Sequence, residues 1–263
     1  MIRLDRIEKT YFARERDVAA IGDISATIEA GEFVAVVGPS GCGKSTLLHL
    51  LAGFDEPTGG RVLIDGKPVV RGTVPKGLGY IFQKDTVLPW KRVRENIALG
   101  LTYRGASRSV IEQKVAALLK LGNLEGFGHA YPHQLSGGMR RRVALLMTLA
   151  CDPQILLLDE PFGALDTHTR TLLHRELIGI WRKMRQTVVL VTHDLDEAVT
   201  LADRIIVLSR PPSRVLLDHR VDVPQPRDVF SVRDTPAFAD NFRTIWRVLG
   251  EEFREDARAE APA

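Results

Sequence analysis

A buried strand, a glycine loop and a helix follow one another near the start of this chain, and together they constrain its fold. The run Phe33–Val37 is wholly apolar, as expected of a strand covered on both faces of a sheet. The segment Gly38–Ser45 matches the spacing G-x-x-x-x-G-K-[ST], and Lys44–Ala52 has helical character up to Gly53, which suits a helix end. This arrangement predicts a phosphate-binding turn within an α/β sheet.

Each residue type in the loop has a chemical reason to be there. Glycines let successive backbone N–H groups curl around phosphate oxygens, and the positive end of the following helix points at the same oxygens. Lys44 would reach the outer phosphates and Ser45 would ligate Mg²⁺. Cys42 is expected to be a small spacer and not a redox sensor. The predicted nucleotide-binding residues here are Gly38, Ser40, Gly41, Cys42, Gly43, Lys44, Ser45 and Thr46.

Two acidic residues follow a second apolar strand. Ile155–Leu158 has the pattern of a buried strand, and Asp159 and Glu160 come directly after it. The carboxyl end of such a strand lies near the phosphate loop in a parallel sheet. Asp159 is therefore predicted to bind Mg²⁺, and Glu160 to polarise an attacking water molecule. Without the matching loop, this pair would be interpreted as two solvated acids at a strand end.

Strands and helices alternate along most of the chain. Thr187–Val191 is a third apolar strand, and residues 166–184 and 194–202 are predicted helices that follow strands. This order predicts an α/β fold: a phosphate-loop core with a mostly parallel sheet, an antiparallel β subdomain and an inserted α-helical subdomain. We expect the core to comprise residues 1–82 and 153–220, the helical subdomain 83–152, and a C-terminal extension 221–263.

One amphipathic helix is predicted in the C-terminal extension. Asp234 or Thr235 would cap it, and Pro236 would lie in its first turn. Packing on its own chain is favoured over contact with a partner, and residues 251–263 are expected to fray. The apolar face of this helix consists of Phe238, Phe242, Ile245, Trp246 and Leu249.

The segment Leu135–Met139 lies between the glycine loop and the acidic pair. The three motifs, in this order, resemble the ATP-binding cassette (ABC) family over about residues 2–220. The resemblance implies a cassette that binds ATP and Mg²⁺ and closes face to face with a second cassette. It also implies that Ser136 and the amides of Gly137 and Gly138 contact the γ-phosphate held by the partner. Taken alone, Ser136 before two glycines would be an ordinary helix cap.

Smaller elements fit the same family by their order. Gln83, after a predicted strand, resembles the glutamine that touches Mg²⁺ or water and signals to the membrane subunit. Ala164-Leu165-Asp166 resembles the loop that contacts the partner cassette, with Asp166 as its predicted site residue. His193 resembles the switch histidine near the γ-phosphate. Tyr11 is expected to stack on adenine, with Phe12 as the alternative.

Two local phrases resemble the importers for nitrate, aliphatic sulfonates and taurine. They are residues 88–100, which begin Leu-Pro-Trp, and the Gly-Gly-Met-Arg-Arg-Arg run at 137–142. The resemblance implies a transmembrane permease, a second cassette (taken as a second copy) and, indirectly, a solute-binding protein. It places the chain peripherally on the cytoplasmic face of the plasma membrane. Leu88 and Trp90 would either receive the permease's coupling helix or pack within their own subdomain.

The chain departs from the family's usual pattern on the helix after the signature. Met139 stands where Gln is usual, and Arg141 where Gln or Lys is usual. Residues 146–148 read Leu-Met-Thr instead of Ala-Arg-Ala. Arg141 is expected to add charge near the γ-phosphate. Met139 should matter little if the serine and glycine backbone bind the phosphate, and residues 146–148 lie away from the predicted phosphate contacts.

Composition limits the other functions open to the chain. A net charge of +3 is too small to argue for nucleic acid, and two cysteines, Cys42 and Cys151, indicate a reducing compartment. No apolar run approaches the ~20 residues that span a bilayer, so another chain would supply the membrane part. The alternatives are a soluble mechanical ATPase in DNA repair or at the ribosome, and an exporter or lipid-trafficking ATPase. The long coiled coil or second cassette expected of the soluble class is not found.

Overall fold

The strands of the described residues form one mixed sheet. A computed structural model describes residues 1–84, 86–163, 166–224 and 227–259. The strands are β1 (Ile2–Tyr11), β2 (Val18–Ile28), β3 (Phe33–Val37), β4 (Gly59–Ile64), β5 (Lys67–Pro68), β6 (Leu78–Ile81), β7 (Ile155–Asp159), β8 (Thr187–Val191), β9 (Arg204–Leu208) and β10 (Ser213–Arg220). Their order in the sheet is β5-β4-β1-β2-β10-β9-β3-β8-β7-β6.

The parallel part of the sheet contains β3, β6, β7, β8 and β9. Every residue of β3, β7 and β8 is buried, because a parallel sheet is covered on both faces and requires continuous apolar strands. The register places Val36 and Asp159 on either side of Val191. The glycine loop, the acidic pair and the residues after β8 therefore begin at the same edge of the sheet.

The antiparallel part is joined to the parallel part by two strands that the sequence did not predict, β9 and β10. β1 lies between β2 and β4 and is antiparallel to both. β10 is antiparallel to β9 and parallel to β2. The peptide bond Pro211–Pro212 is cis and lies between β9 and β10. The α/β prediction is confirmed, with both parts of the sheet continuous.

Most of the helices alternate with strands along the chain, and a group of helices lies between β6 and β7. They are α1 (Lys44–Ala52), α2 (Val93–Tyr103), α3 (Arg108–Leu121), α4 (Gly137–Leu149), α5 (Thr167–Met184), α6 (Leu195–Leu201) and α7 (Pro236–Ala259). The helices α2, α3 and α4 lie within residues 83–152, and Ile97 of α2 shares a buried core with Val143 and Leu146 of α4. No helix among these residues is long and apolar enough to cross a membrane.

The C-terminal helix α7 packs on its own chain. The Thr235 hydroxyl accepts a hydrogen bond from the Phe238 backbone N–H at 3.2 Å, so Thr235 provides the cap and Asp234 does not. Phe238 is buried in the same core as α6. The expected fraying is wrong for residues 251–259, which stay helical. One reason is that Glu252 accepts a hydrogen bond from the backbone N–H of Arg210 at 3.0 Å. Residues 260–263 lie outside the described residues.

Candidate functional site

The glycine loop joins the end of β3 to α1 and holds Lys44 against its carbonyl groups. The Lys44 Nζ donates hydrogen bonds to the carbonyl oxygens of Gly38 and Pro39, each at 2.8 Å, and the side chain is buried. Gly41 and Gly43 have φ values of 75° and 92°, a left-handed conformation that glycine adopts without steric cost. The ammonium charge therefore lies within the loop whose N–H groups are predicted to receive phosphate.

Cys42 packs inside the loop. A Cβ at Gly38 would lie 2.8 Å from the Cys42 Sγ and 2.9 Å from the Leu208 carbonyl oxygen, so the loop has no room for a larger residue. Burial raises the pKa of the Cys42 thiol. A completely buried, neutral thiol is consistent with the predicted spacer role.

The carboxylate of Asp159, at the end of β7, accepts a hydrogen bond on each oxygen. Ser45 Oγ donates to Oδ1 at 2.9 Å, and the Tyr80 hydroxyl donates to Oδ2 at 3.1 Å. Burial, and then the nearby Asp159 charge, raise the pKa of Tyr80, so its hydroxyl keeps its proton. Sequence reasoning placed Ser45 and Asp159 at one site but missed Tyr80. The only signal was an aromatic hydroxyl in the strand before Gln83.

The carboxylate of Glu160 is held by two of the predicted site residues. Gln83 Nε2 donates to Oε2 at 3.0 Å, and His193 Nδ1 lies 3.3 Å from Oε1. The backbone of Glu160 has φ 42°, which is uncommon for a non-glycine residue, and its N–H donates to the Val191 carbonyl at 2.9 Å. Residues that follow β6, β7 and β8 thus meet at one carboxylate.

A buried polar network supports the segment that carries His193. His174 of α5 and Glu197 of α6 lie 3.1 Å apart, with side chains almost fully buried. The Thr192 hydroxyl donates to the other oxygen of Glu197 and accepts from the Asp194 backbone N–H. Sequence reasoning missed this network, because a lone His and Glu in two helices are ordinarily surface residues.

The signature segment begins α4 away from these carboxylates. The Ser136 hydroxyl accepts a hydrogen bond from the Met139 backbone N–H at 3.2 Å, which is the geometry of a helix cap. Ser136 and Gly137 are exposed, and the hydrogen bonds around Asp159 and Glu160 do not include them. Gly138 is buried, and a Cβ there would overlap the Cγ2 methyl group of Thr169.

Asp166 caps the start of α5. Its carboxylate accepts from the Thr169 backbone N–H at 3.0 Å, and this bond, with a second from the Thr169 hydroxyl, lowers the pKa of Asp166. Ala164 and Leu165, the other residues of the loop predicted to contact a partner cassette, lie outside the described residues. The carboxylate of Asp166 is thus an exposed, negatively charged helix cap.

The predicted adenine-stacking residue lies beside the end of the glycine loop. The Tyr11 hydroxyl is 3.4 Å from Thr46 Oγ1, and Lys9 Nζ lies 4.9 Å from the centroid of the Tyr11 ring. Phe12, the alternative, is 76% exposed. Tyr11 is therefore the aromatic residue that touches a predicted nucleotide-binding side chain.

The glycine loop, Lys44 and the two strand-end carboxylates define a phosphate-loop nucleotide hydrolase. Comparison with protein families matches residues 21–163 to the family described as ABC transporter. The chain therefore belongs to the ABC transporter family, and it is an ATP-binding ATPase. The prediction drawn from its motifs is confirmed at this level.

Curated relatives cover most of the chain. It is 41% identical to the aliphatic sulfonates import ATP-binding protein SsuB of Bacillus cereus, over 86% of this chain and 88% of the relative. It is 40% identical to the nitrate import ATP-binding protein NrtD of Synechocystis, over 85% and 83% of the two chains. It is 39% identical to the taurine import ATP-binding protein TauB of Rhizobium johnstonii, over 99% and 100%.

A solved structure shares the fold. It is the dimeric ATP-binding cassette MJ0796 in a post-hydrolysis state bound to ADP and Pi. The similarity has a TM-score of 0.73 with 34% sequence identity, and it covers 84% of this chain and 98% of the cassette.

Proposed function

We propose that this chain is the ATP-hydrolysing subunit of an importer for a small solute of the nitrate, sulfonate or taurine class. It would work as a pair of cassettes on the cytoplasmic face of a membrane, beneath a transmembrane permease that receives solute from a binding protein. The observation that carries the proposal is the Glu160 carboxylate between Gln83 and His193, beside the Ser45–Asp159 pair. The names of the curated relatives support import as the direction of transport.

The residues around Asp159 fit a magnesium ion held together with nucleotide phosphates. Mg²⁺ prefers oxygen ligands and usually takes one or two carboxylates plus phosphate oxygens. The Asp159 carboxylate, the Ser45 hydroxyl and the Gln83 side-chain oxygen supply such ligands, and Lys44 would neutralise the outer phosphates. Bound Mg²⁺ would offset phosphate charge.

Glu160 would orient and polarise the attacking water. Its two oxygens already face side-chain nitrogens of Gln83 and His193, so each of these residues can hold the carboxylate or exchange it for a nucleotide contact. His193, whose side chain is 59% exposed, would reach the γ-phosphate, and Gln83 would report its state to the permease. Residues at three strand ends would then respond together to one phosphate.

The second cassette would complete each site. Ser136 and Gly137 are exposed at the positive end of α4, as required for contact with a phosphate bound by another chain. Gly138 would contribute its amide to the same phosphate, and exposed Asp166 would lie in the partner contact. The MJ0796 cassette is dimeric, which supports a pair. ATP would favour the closed pair, and its hydrolysis would release it.

The loop before α2 offers a contact surface for the permease. Asn96 is completely buried, accepts the Leu88 backbone N–H at 2.8 Å, and donates to the Leu88, Lys91 and Arg92 carbonyls. This holds the loop so that Trp90 is 70% exposed. At this exposure Trp90 packs little within its own subdomain, so its ring is available for a contact with the permease.

A tagged Glu160→Gln chain tests the proposal. The change keeps the side-chain shape and removes the basic carboxylate, so ATP should bind and turnover should fall at least about a hundredfold. In the native host, membranes solubilised with ATP should yield the variant as a dimer with a multi-span membrane protein. A Lys44→Ala chain is the matched control and should recover less dimer.

The solute class is then measured directly. The binding protein that accompanies the captured permease would be titrated with taurine, alkanesulfonates and nitrate by calorimetry. Steady ATP turnover by Glu160→Gln would refute the role of Glu160. Recovery only in the soluble fraction, with nucleic acid or ribosomal proteins, would refute the importer.

A further inference from the structure

The side chain of Arg141 reaches from the signature helix to the catalytic segment of its own chain. Its Nε donates to the Pro161 carbonyl, and its two terminal nitrogens donate to the carbonyls of Glu160 and Gln83, each at 3.3 Å. The sequence predicted that this charge would lie near a γ-phosphate. The structure places the guanidinium against the backbones of Gln83 and Glu160, whose side chains are hydrogen-bonded to each other.

The backbone at Glu160 needs such support. A non-glycine residue at φ 42° persists only where its surroundings fix it, and such conformations concentrate at functional sites. The Glu160 N–H is fixed by the Val191 carbonyl, and its own carbonyl accepts from Arg141. The Arg141 contacts with the Glu160 and Pro161 carbonyls act on the two peptide groups that follow the strained residue.

The apolar surroundings make these hydrogen bonds matter more. The space beside Arg141 is lined by Leu145, Leu158 and Phe162, so its partly buried guanidinium is shielded on that side. Charged donors in such surroundings bind carbonyl oxygens more strongly than they do in water. A planar guanidinium also presents its donors in a fixed fork, which lysine or glutamine cannot reproduce.

We propose that Arg141 is a positioning residue for ATP hydrolysis. It holds the backbones of Glu160 and Gln83 in one arrangement and ties both to α4, whose first turn carries Ser136 and Gly137. This rests on the proposed function, in which that first turn contacts ATP bound by the partner. Movement of α4 on a partner's ATP would therefore be passed to the catalytic carboxylate of the same chain.

The test compares variants of the full chain in an ATPase assay. Arg141→Met keeps the length of the side chain and removes its donors, and it should lower kcat about tenfold with KM for ATP within about twofold. Arg141→Lys should not restore the rate, and Arg141→Gln should be intermediate. Arg108→Met is the matched control, because Arg108 is an exposed arginine of α3 that pairs with Glu112.

A readout beyond activity separates positioning from general stability. In the Glu160→Gln background, Arg141→Met should cause no further loss of the single-turnover rate, because it acts through the group already removed. The proposal would be overturned if Arg141→Met lowered the rate as much in the Glu160→Gln background as in the parent chain. It would also be overturned if Arg141→Met lowered Tm and weakened ATP binding, or if it left kcat unchanged. If the parent chain hydrolyses ATP and Arg141→Met has the same kcat, this inference fails and the proposed function stands. A parent chain without ATP turnover would instead overturn the proposed function.

Discussion

Gly137 and Gly138 are neighbours in the signature segment, but the structure gives them different surroundings. The nearest atom to a Cβ at 137 would be an Arg140 side-chain nitrogen at 4.0 Å, which is open space. A Cβ at 138 would overlap the Thr169 Cγ2 methyl group, whereas the Cβ and Oγ1 of Thr169 would be at 3.6 and 3.7 Å. The two alanine substitutions should therefore fail for different reasons.

The magnitudes follow from these contacts. Alanine is favoured over glycine in a helix by up to about 1 kcal/mol, whereas overpacking costs about 1–3 kcal/mol. Rotation of Thr169 would not relieve the overlap cheaply, because its hydroxyl is bonded to Asp166. Gly138→Ala should thus destabilise the chain by about 1–2 kcal/mol, or lower Tm by about 2–8 °C.

A second substitution isolates the clash. Thr169→Ser removes the methyl group and leaves only ordinary van der Waals distances, so Gly138→Ala in that background should cost nothing and can gain stability. Gly137→Ala should keep or slightly raise the parental Tm but lose ATP-dependent dimerisation, because a methyl group would stand at the predicted phosphate contact.

Thermal unfolding and size-exclusion chromatography of Glu160→Gln chains with ATP measure both effects. Equal Tm losses for Gly138→Ala with and without Thr169→Ser would refute the packing argument. Normal ATP-dependent dimers of Gly137→Ala would refute the role given to the exposed start of α4.

Two further predictions rest on the half-buried Tyr80 hydroxyl and the buried Cys42 thiol. Tyr80→Phe removes one donor to Asp159, so half-saturation of ATPase activity by Mg²⁺ should rise about tenfold in a metal titration, and an unchanged titration would contradict the contact. Burial raises the pKa of the Cys42 thiol, so at pH 8 a smaller fraction of it is thiolate than in an unburied cysteine. Iodoacetamide labelling followed by mass spectrometry should therefore find partly exposed Cys151 modified first. Prior labelling of Cys42 in the folded chain would show that the loop opens.

Local patterns predicted much of the nucleotide site. The strand before Gly38 and the strand before Asp159 are recognisable because a buried parallel strand needs an uninterrupted apolar run. Glu160 was predicted from its place at the end of a strand, and the family resemblance assigned Gln83 and His193, which also follow strands, to the same nucleotide site. The structure places these side chains together, while their catalytic roles stay predictions.

β9 was missed although its Ile205–Leu208 run is apolar and buried, like the strands that were predicted. The other two failures share a physical cause. β10 was not predicted, because it gains its place from pairing with β9 and β2 and not from a strong pattern of its own. The residues after Glu251 were expected to fray. Local spacing could not predict the contact between Glu252 and Arg210, because it joins segments that are far apart in the sequence. In both cases a partner distant in sequence supplied the stability.

Local sequence patterns are enough to identify the class of chemistry, because glycine spacing, a lysine, a hydroxyl and strand-end acids are requirements that neighbouring residues satisfy locally. The contacts that hold those groups in place come from the folded chain. Tyr80 reaches Asp159 across 79 residues, and Arg141 reaches Gln83 across 58. Such contacts depend on how the helices after β6 pack against the sheet and on where each side chain then points. The order of residues along a helix or strand does not encode those directions.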